Sequence, residues 1–175
     1  MQTETPLSQS IPLLQSASPA SSLEALCSHA NLQPWLQLNT SLTKELQHTF
    51  ASKPGLILLG EGLEAGEPWE CELLATHLPV YTRHIALTIE NVPVVLARSV
   101  TTQGSGMNAL RALETRPLAE LLFEDATWQR QAEERYLTLP NNVPGRGRLW
   151  QNQQLGARLI VQEFFLPTLT EKICA

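Results

Sequence analysis

Alternating apolar and polar positions in the middle of the chain are typical of β-strands. Residues 81–89 and 92–100 both alternate in this way, and Glu90-Asn91 separates them. Two such runs joined by a two-residue connection predict an antiparallel hairpin. Pro93 lies near the start of the second run, which indicates either an edge strand or a bulge at that point.

Other segments follow the helical period instead. The spacing of Leu42, Leu46 and Phe50 predicts a helix over 42–51. The remaining predicted elements are a short helix over 23–29 opened by a Ser21–Glu24 capping box, strands over 56–59 and 159–166, helical turns from Leu110 to Leu122 with a new start at Pro117, an ambiguous stretch over 128–139 and a loop over 140–147. Strands and segregated helices without regular β-α alternation predict an α+β fold around an antiparallel sheet.

The chain length of 175 residues fits one domain. Residues 1–22 are rich in Ser, Pro, Gln and Thr and contain few large apolar side chains. Such a segment cannot bury enough surface to offset its chain entropy, so it is expected to be a flexible arm. The single domain is then expected to span residues 23–175.

Charge and cysteine usage exclude several classes of protein. A formal net charge of −5 argues against a nucleic-acid partner. Cys27, Cys71 and Cys174 are widely spaced and no histidine shares a helical turn with another ligand, so neither disulfides nor a metal site is expected. The chain starts without a signal-peptide pattern and has no apolar run of the roughly 20 residues needed to span a bilayer. A cytoplasmic protein with reduced thiols is therefore expected.

Three charged residues interrupt the apolar positions of predicted strands. Arg83, Arg98 and Glu163 each occupy the more apolar face of a strand, although the last strand is apolar on both faces. A buried charge needs compensation, and an internal Arg–Glu ion pair is the commoner solution in globular domains. The alternative is a site with a net positive charge that an anionic ligand balances. A bulge would rotate any of these side chains to the other face.

A fourth basic feature is the segment from Pro144 to Arg148, which resembles a basic turn. It lacks the following helix of a phosphate-binding loop. A solvated loop is therefore expected there, with the option that it guards a nearby anion site.

Several of these pieces together resemble the chorismate pyruvate-lyase family. The resembling segments, in the family's order, are Pro34-Trp35 with Ser41-Leu42-Thr43, Thr82-Arg83-His84-Ile85-Ala86-Leu87, Leu96-Ala97-Arg98-Ser99-Val100, Arg116-Pro117-Leu118 with Leu122-Phe123, Gly145-Arg146-Gly147-Arg148, and Glu163-Phe164-Phe165-Leu166-Pro167. The resemblance spans most of the chain from Pro34 to Pro167. It implies a monomeric chorismate lyase-like enzyme without a cofactor, with helices on one face of the sheet, that converts chorismate to 4-hydroxybenzoate and pyruvate for ubiquinone or plastoquinone biosynthesis.

The resemblance also implies site residues. The family's product contacts fall on Leu42, Arg83, Leu118 and Glu163, and Arg98 is added from its position on a strand. In this hypothesis Arg83 holds the ring carboxylate and Arg98 holds the enolpyruvyl carboxylate, with Arg146 or Arg148 as optional helpers. Glu163 bonds the ring hydroxyl, and the two leucines form apolar walls that exclude water.

Some features depart from the family, and two other functions stay open. Leu42 stands where better-known members carry Met, residues 62–80 match poorly, and residues 126–139 match loosely. One alternative is a small-molecule effector-binding domain of the transcription-regulator type, which shares this fold. The other is a structural domain whose inward charges only pair with each other.

Overall fold

A computed structural model describes residues 7–20, 30–124, 126–131 and 134–175. The helices are α1 (Ser10–Gln15), α2 (Gln33–Leu36), α3 (Leu42–Phe50), α4 (Pro68–Leu74), α5 (Ser105–Arg111), α6 (Leu118–Glu124) and α7 (Pro167–Cys174). The strands are β1 (Ser18–Pro19), β2 (Gly55–Glu64), β3 (Val80–Ile89), β4 (Val92–Thr101), β5 (Trp128–Arg130), β6 (Arg135–Thr138), β7 (Pro144–Asn152) and β8 (Ala157–Phe165). None of the described helices is long and apolar enough to cross a membrane.

The described strands form one antiparallel sheet in the order β1-β6-β7-β8-β4-β3-β2, and β5 pairs with β7. The predicted hairpin is confirmed as β3 and β4. Glu90 and Asn91 both have positive φ, at 51° and 65°. This geometry suits a two-residue hairpin turn, because its twist matches that of the strands.

A bulge in this hairpin decides which side chains share a face. Thr88 pairs with Pro93 next to the turn, but Leu87 pairs with Val95, so Val94 is an extra residue in β4. The bulge indicated by Pro93 is thus confirmed. Beyond it, Arg83 pairs with Ser99 rather than with Arg98.

The sheet is buried on both sides, which we call the front face and the back face. The front face carries Arg83 and Glu163, and its apolar core packs against α2, α3, α5, α6 and α7. The back face carries His84 and Arg98 and packs against α1 and α4. The α+β class is confirmed, while the helices are distributed more widely than the expected single face.

The prediction of a solvated loop at Pro144 to Gly147 is wrong. These residues begin β7, a central strand that pairs with both β6 and β8, and Arg146 and Arg148 are buried. Gly145 and Gly147 alternate with the two arginines and point to the back face, against Phe164 and Leu137. Close packing leaves no room for a side chain at Gly145, and neither glycine marks a turn.

Part of the expected flexible arm packs on the domain. Residues 7–20 form a 3-10 turn, α1 and β1, and Leu14 is 0% exposed beneath the back face. β1 pairs with β6, and the Trp69 indole donates to the Ala17 carbonyl at 3.3 Å. Composition missed this contact because one buried leucine and a two-residue strand leave almost no sequence pattern. The predicted helix over 23–29 lies outside the described residues, and the domain boundary near residue 22 stays a prediction.

The helix predicted over 42–51 corresponds to α3. Ser41 caps it by accepting a hydrogen bond from the Lys44 amide, and Ala51 ends it in a left-handed conformation. Leu42 and Leu46 are buried on the front face, as the spacing predicted. The ambiguous stretch contains two short strands, β5 and β6.

The packing of α1 predicts a stability cost for its truncation. Leu14→Ala is expected to lower the free energy of unfolding by about 2–4 kcal/mol, because it empties a buried leucine site. Leu78→Ala is the matched control, since Leu78 is 67% exposed. Urea unfolding of both variants measures the difference, and equal stability of the two would contradict docking of this segment.

The strand assignment of β7 predicts that Gly145 cannot accept a side chain. A Cβ there would lie 2.4 Å from Phe164 Cδ1 and 2.5 Å from the Glu163 carbonyl oxygen. Gly145→Ala should therefore cost about 2 kcal/mol through overpacking. Gly62→Ala in β2 is the control, because a Cβ there meets nothing within 4 Å. Equal melting temperatures for the two variants would contradict the strand assignment and favour a solvated loop at this segment.

Candidate active site

A cavity lies between the front face and helices α3 and α6. Its apolar lining includes Leu42 from α3, Leu118 and Leu122 from α6, and Ile85 and Val161 from the sheet. Few polar side chains enter it, chiefly Ser99, Arg146, Arg148 and Glu163. An apolar cavity with a few convergent polar groups is the usual form of a small-molecule site.

Glu163 and Arg146 face each other across β7 and β8. They are cross-strand partners, and Arg146 Nη2 lies 3.3 Å from Glu163 Oε1. Arg146 is buried, and its Nη1 donates to the Leu38 carbonyl. Its buried Nε has no hydrogen-bond partner among the described residues. This guanidinium therefore keeps an unused donor at the wall of the cavity.

Arg148 is compensated more completely. Its Nε donates to Glu134 Oε1 at 3.0 Å, and its Nη2 also donates to Glu134 and, at 2.6 Å, to the Leu38 carbonyl. A third arginine, Arg130, donates to the Asn39 carbonyl at 3.1 Å. These bonds hold the connection before α3, which places Leu42 against the cavity.

Arg83 lies on the same face, three strands away from Arg148. It is 1% exposed, and its Nη2 donates to the carbonyls of Glu114 at 3.1 Å and Arg116 at 2.9 Å. Its Nε lies 3.4 Å from Glu61 Oε1, but the geometry is not that of a hydrogen bond, and Nη1 is also without a partner among the described residues. Burial lowers the pKa of Arg83, and the Glu61 carboxylate opposes that shift. Arginine nevertheless stays charged at neutral pH.

Arg83 is not among the cavity-lining residues of the described chain, but it adjoins the lining at two points. Its cross-strand partner Ser99 lines the cavity. Arg116, whose carbonyl it binds, directly precedes Pro117 and Leu118 of the cavity wall. The side chain therefore lies at the β3 end of the cavity, with two donors unused.

Arg98 is placed differently from its predicted role. Because of the Val94 bulge it pairs with His84 on the back face, away from the cavity. Its Nε and Nη2 donate to the two carboxylate oxygens of Glu70, at 2.9 and 2.8 Å, and its Nη1 donates to Glu64. The expectation that Arg98 joins Arg83 at one ligand site does not match this geometry, since a guanidinium paired in this way on the other face cannot reach a ligand in the cavity.

Arg98 is thus compensated by an internal Arg–Glu ion pair, the commoner solution for a buried charge, but its carboxylates are Glu70 and Glu64 rather than Glu163. Burial opposes the charge of Arg98, but its bonds to Glu70 and Glu64 outweigh burial and raise its pKa. Burial likewise acts to raise the pKa of Glu64, while the bonds from Arg98 and Gln15 outweigh it and lower the pKa. His84 Nε2 lies 2.8 Å from Arg98 Nη1. Burial and the nearby guanidinium lower the pKa of His84 to about 4.

The structure thus brings together Leu42, Leu118 and Glu163 around one cavity and places Arg83 beside it. From the sequence, Arg146 was expected only as an optional helper within a loop. The alternation of Arg146, Arg148 and Trp150 with Gly147 and Leu149 is a strand pattern, and it was the signal that could have placed Arg146 on the front face.

Comparison with known proteins gives the family. The family model described as chorismate lyase matches residues 14–174. The chain belongs to the chorismate lyase family. As a member of this family, the protein is a carbon–oxygen lyase.

Two relatives illustrate the similarity. A probable chorismate pyruvate-lyase of Shewanella frigidimarina is 30% identical over 177 residues, which covers 83% of this chain and 85% of the relative. A probable chorismate pyruvate-lyase of Marinobacter nauticus is 31% identical over 149 residues, which covers 81% of this chain and 79% of the relative.

Solved structures are more distant from this chorismate lyase family member. A possible transcriptional regulator YydK of Bacillus subtilis covers 93% of this chain and has 94% of its own length covered, with 8% identity and a TM-score of 0.49. The ligand-binding domain of a putative GntR-family regulator of Bordetella bronchiseptica covers 65% of this chain and has 84% of its own length covered, with 12% identity and a TM-score of 0.45. Both TM-scores lie below 0.5, too weak a likeness to support an inference.

The back-face network predicts a pH dependence of stability. Between pH 6.5 and about 4 the unfolded chain protonates His84 while the folded chain does not. Stability is therefore highest above pH 6.5 and falls as the pH drops towards 4, by up to about 3 kcal/mol from this group. Glu64 acts in the same direction at lower pH, because its folded-state pKa is also lowered.

Substitution of His84 separates its contribution to the pH dependence of stability from that of Glu64. His84→Gln removes the titrating ring while keeping an acceptor for Arg98, so the decline of stability between pH 6.5 and 4 should become shallower. His77→Gln is the control, because His77 is exposed. Urea unfolding across this pH range gives the slopes, and identical slopes for wild type and His84→Gln would exclude this role.

Proposed function

We propose that this protein eliminates pyruvate from chorismate to give 4-hydroxybenzoate. The observation that carries the proposal is Arg83, a buried arginine with two unused donors beside an apolar cavity. A buried guanidinium that keeps donors without hydrogen-bond partners suits a carboxylate, and burial strengthens that interaction. Family membership supports the same substrate class.

The roles proposed for the cavity residues follow from their chemistry. Arg83 holds the ring carboxylate at the β3 end. Glu163, half-buried and bonded only loosely to Arg146 at 3.3 Å, accepts a hydrogen bond from the ring hydroxyl at the β7 end. Leu42 and Leu118 cover the ring from α3 and α6 and keep water from it.

The reaction needs little covalent chemistry from the protein. The ether bond between the ring and the enolpyruvyl group breaks, and the hydroxyl-bearing ring carbon loses its hydrogen as a proton. The methylene carbon of the departing group gains a proton, so the products are an aromatic ring and pyruvate with no added reactant. Aromatisation drives the step, and the protein contributes orientation and charge compensation.

The proposal extends to the setting of the reaction. 4-Hydroxybenzoate is an aromatic precursor of quinones, so we propose that the product supplies ubiquinone or plastoquinone biosynthesis. We further propose that the protein acts as a monomer, as its resemblance to the family implies. The dianionic substrate does not cross membranes freely, which supports a cytoplasmic location.

The direct test is to incubate the purified protein with chorismate and measure 4-hydroxybenzoate by chromatography and pyruvate with lactate dehydrogenase. Arg83→Gln should lower kcat/KM about 10- to 100-fold, because it removes charge-assisted hydrogen bonds to a carboxylate. Glu163→Gln keeps the shape of the side chain and should mainly lower kcat. The control is Arg135→Gln, an exposed arginine of β6, which should be as active as wild type.

Each result decides between the candidate functions. Release of the two products in equal amounts supports the lyase, and normal turnover by Arg83→Gln would exclude the assigned role of that residue. Tight binding of chorismate without products would identify an effector-binding domain instead. Absence of binding would leave only a structural domain with paired charges.

A further inference from the structure

We infer that Arg146 is the second carboxylate anchor of the site, holding the enolpyruvyl carboxylate that leaves as pyruvate. The inference rests on the proposed lyase function and assigns a residue to the half of the substrate that Arg83 does not reach. Chorismate carries two carboxylates, and each needs a cation inside a cavity that is mostly apolar. With Arg98 on the back face, the basic side chains lining the cavity in the described chain are Arg146 and Arg148.

The hydrogen bonds of these two arginines distinguish them. The Nε and Nη2 edge of a guanidinium binds a carboxylate through two parallel bonds. In Arg148 both atoms of that edge already donate to Glu134 Oε1. In Arg146 the Nε of that edge has no partner among the described residues, and the Nη2 has only the 3.3 Å contact to Glu163. On that edge Arg146 therefore keeps Nε unpaired and Nη2 bonded only to Glu163, whereas both donors of that edge of Arg148 are occupied by Glu134.

The backbone holds Arg146 ready for this task. Its Nη1 donates to the Leu38 carbonyl, which holds the guanidinium in place while Nε on the opposite edge stays without a partner among the described residues. The Phe165 ring lies 6.0 Å from its central carbon and adds an apolar boundary. The side chain is buried, which strengthens an ion pair formed with it.

The position of Arg146 also fits the order of groups on the substrate. On the chorismate ring the hydroxyl and the enolpyruvyl ether occupy adjacent carbons, and the ring carboxylate lies at the opposite end. Glu163, the proposed partner of the hydroxyl, is the cross-strand neighbour of Arg146. Arg83 lies three strands away, about 14 Å between backbones, so two long side chains pointing inward can span the substrate. The cation next to Glu163 is thus the one that the enolpyruvyl carboxylate meets.

This placement gives Arg146 a part in the bond-breaking step. As the ether bond breaks, its electron pair moves to the departing enolpyruvyl group, whose carboxylate is already bound. A guanidinium at that carboxylate stabilises the growing negative charge without rearrangement. After pyruvate has left, Glu163 keeps its hydrogen bond to the hydroxyl of the aromatic product.

The test uses the difference between substrate and product, because 4-hydroxybenzoate lacks the enolpyruvyl carboxylate. Arg146→Gln should lower kcat/KM for chorismate about 10- to 100-fold and change the Kd for 4-hydroxybenzoate less than about threefold. Arg146→Lys keeps the charge but not the two-pronged edge and should lose less. Arg83→Gln should weaken both ligands, because both carry the ring carboxylate.

Two further variants separate an anchor from a merely structural role. Arg148→Gln releases the connection before α3, so it should affect chorismate and 4-hydroxybenzoate by a similar factor. Arg135→Gln should change neither. Calorimetric binding of 4-hydroxybenzoate also reports on folding, since a variant with the wild-type Kd has an intact cavity.

The inference is overturned if Arg146→Gln keeps normal kcat/KM, or if both Arg146 variants weaken 4-hydroxybenzoate as strongly as chorismate. Failure of the underlying function looks different, because wild-type protein would then release no pyruvate from chorismate. A wild-type enzyme with normal turnover and an Arg146→Gln variant impaired only with chorismate supports the assignment.

Discussion

Burial of four guanidinium groups in one sheet is the constraint on which the rest of this structure depends. Arg83, Arg98, Arg146 and Arg148 are all buried, and none can lose its proton to relieve the cost. Each must find carboxylates or carbonyls at short range. The positions of Glu70, Glu134, the Leu38 carbonyl and the connection from Glu114 to Arg116 all answer that demand.

The compensation is complete at some of these arginines and incomplete at others, and this difference separates stability from chemistry. Arg98 donates to two carboxylates that belong to α4 and β2, so it fastens those elements to the back face. The ion pair of Arg148 with Glu134 likewise holds the connection before α3 in place. Arg83 and Arg146 keep donors without partners in the described chain, and both lie on the face that holds the cavity. We propose that an anionic substrate supplies the missing acceptors at these two cations.

Sequence predicted much of the fold because the signals concerned were local. The two-residue turn at Glu90-Asn91, the cap at Ser41 and the spacing of Leu42 and Leu46 involve neighbours a few residues apart, and these elements are confirmed. The packing of the segment before α2 on the domain could not be predicted from such local signals. The docking of Leu14 depends on a surface formed by β3, β4 and β8, which no local pattern encodes.

The same distinction between local and tertiary signals applies to the candidate site. Sequence alone determined the chorismate lyase family, the central hairpin and the charged residues set into apolar strands, because residue identity and period are properties of short segments. Only the tertiary structure decided which of those charges meet. Had the register next to the turn continued, Arg83 would have faced Arg98, but the single extra residue Val94 turned Arg98 to the back face. Because side chains alternate with a period of two, one inserted residue exchanges the faces of every position beyond it. That shift, together with the pairing of β7 into the sheet centre, leaves Arg146 and Arg148, and not Arg98, as the basic side chains that line the cavity in the described chain.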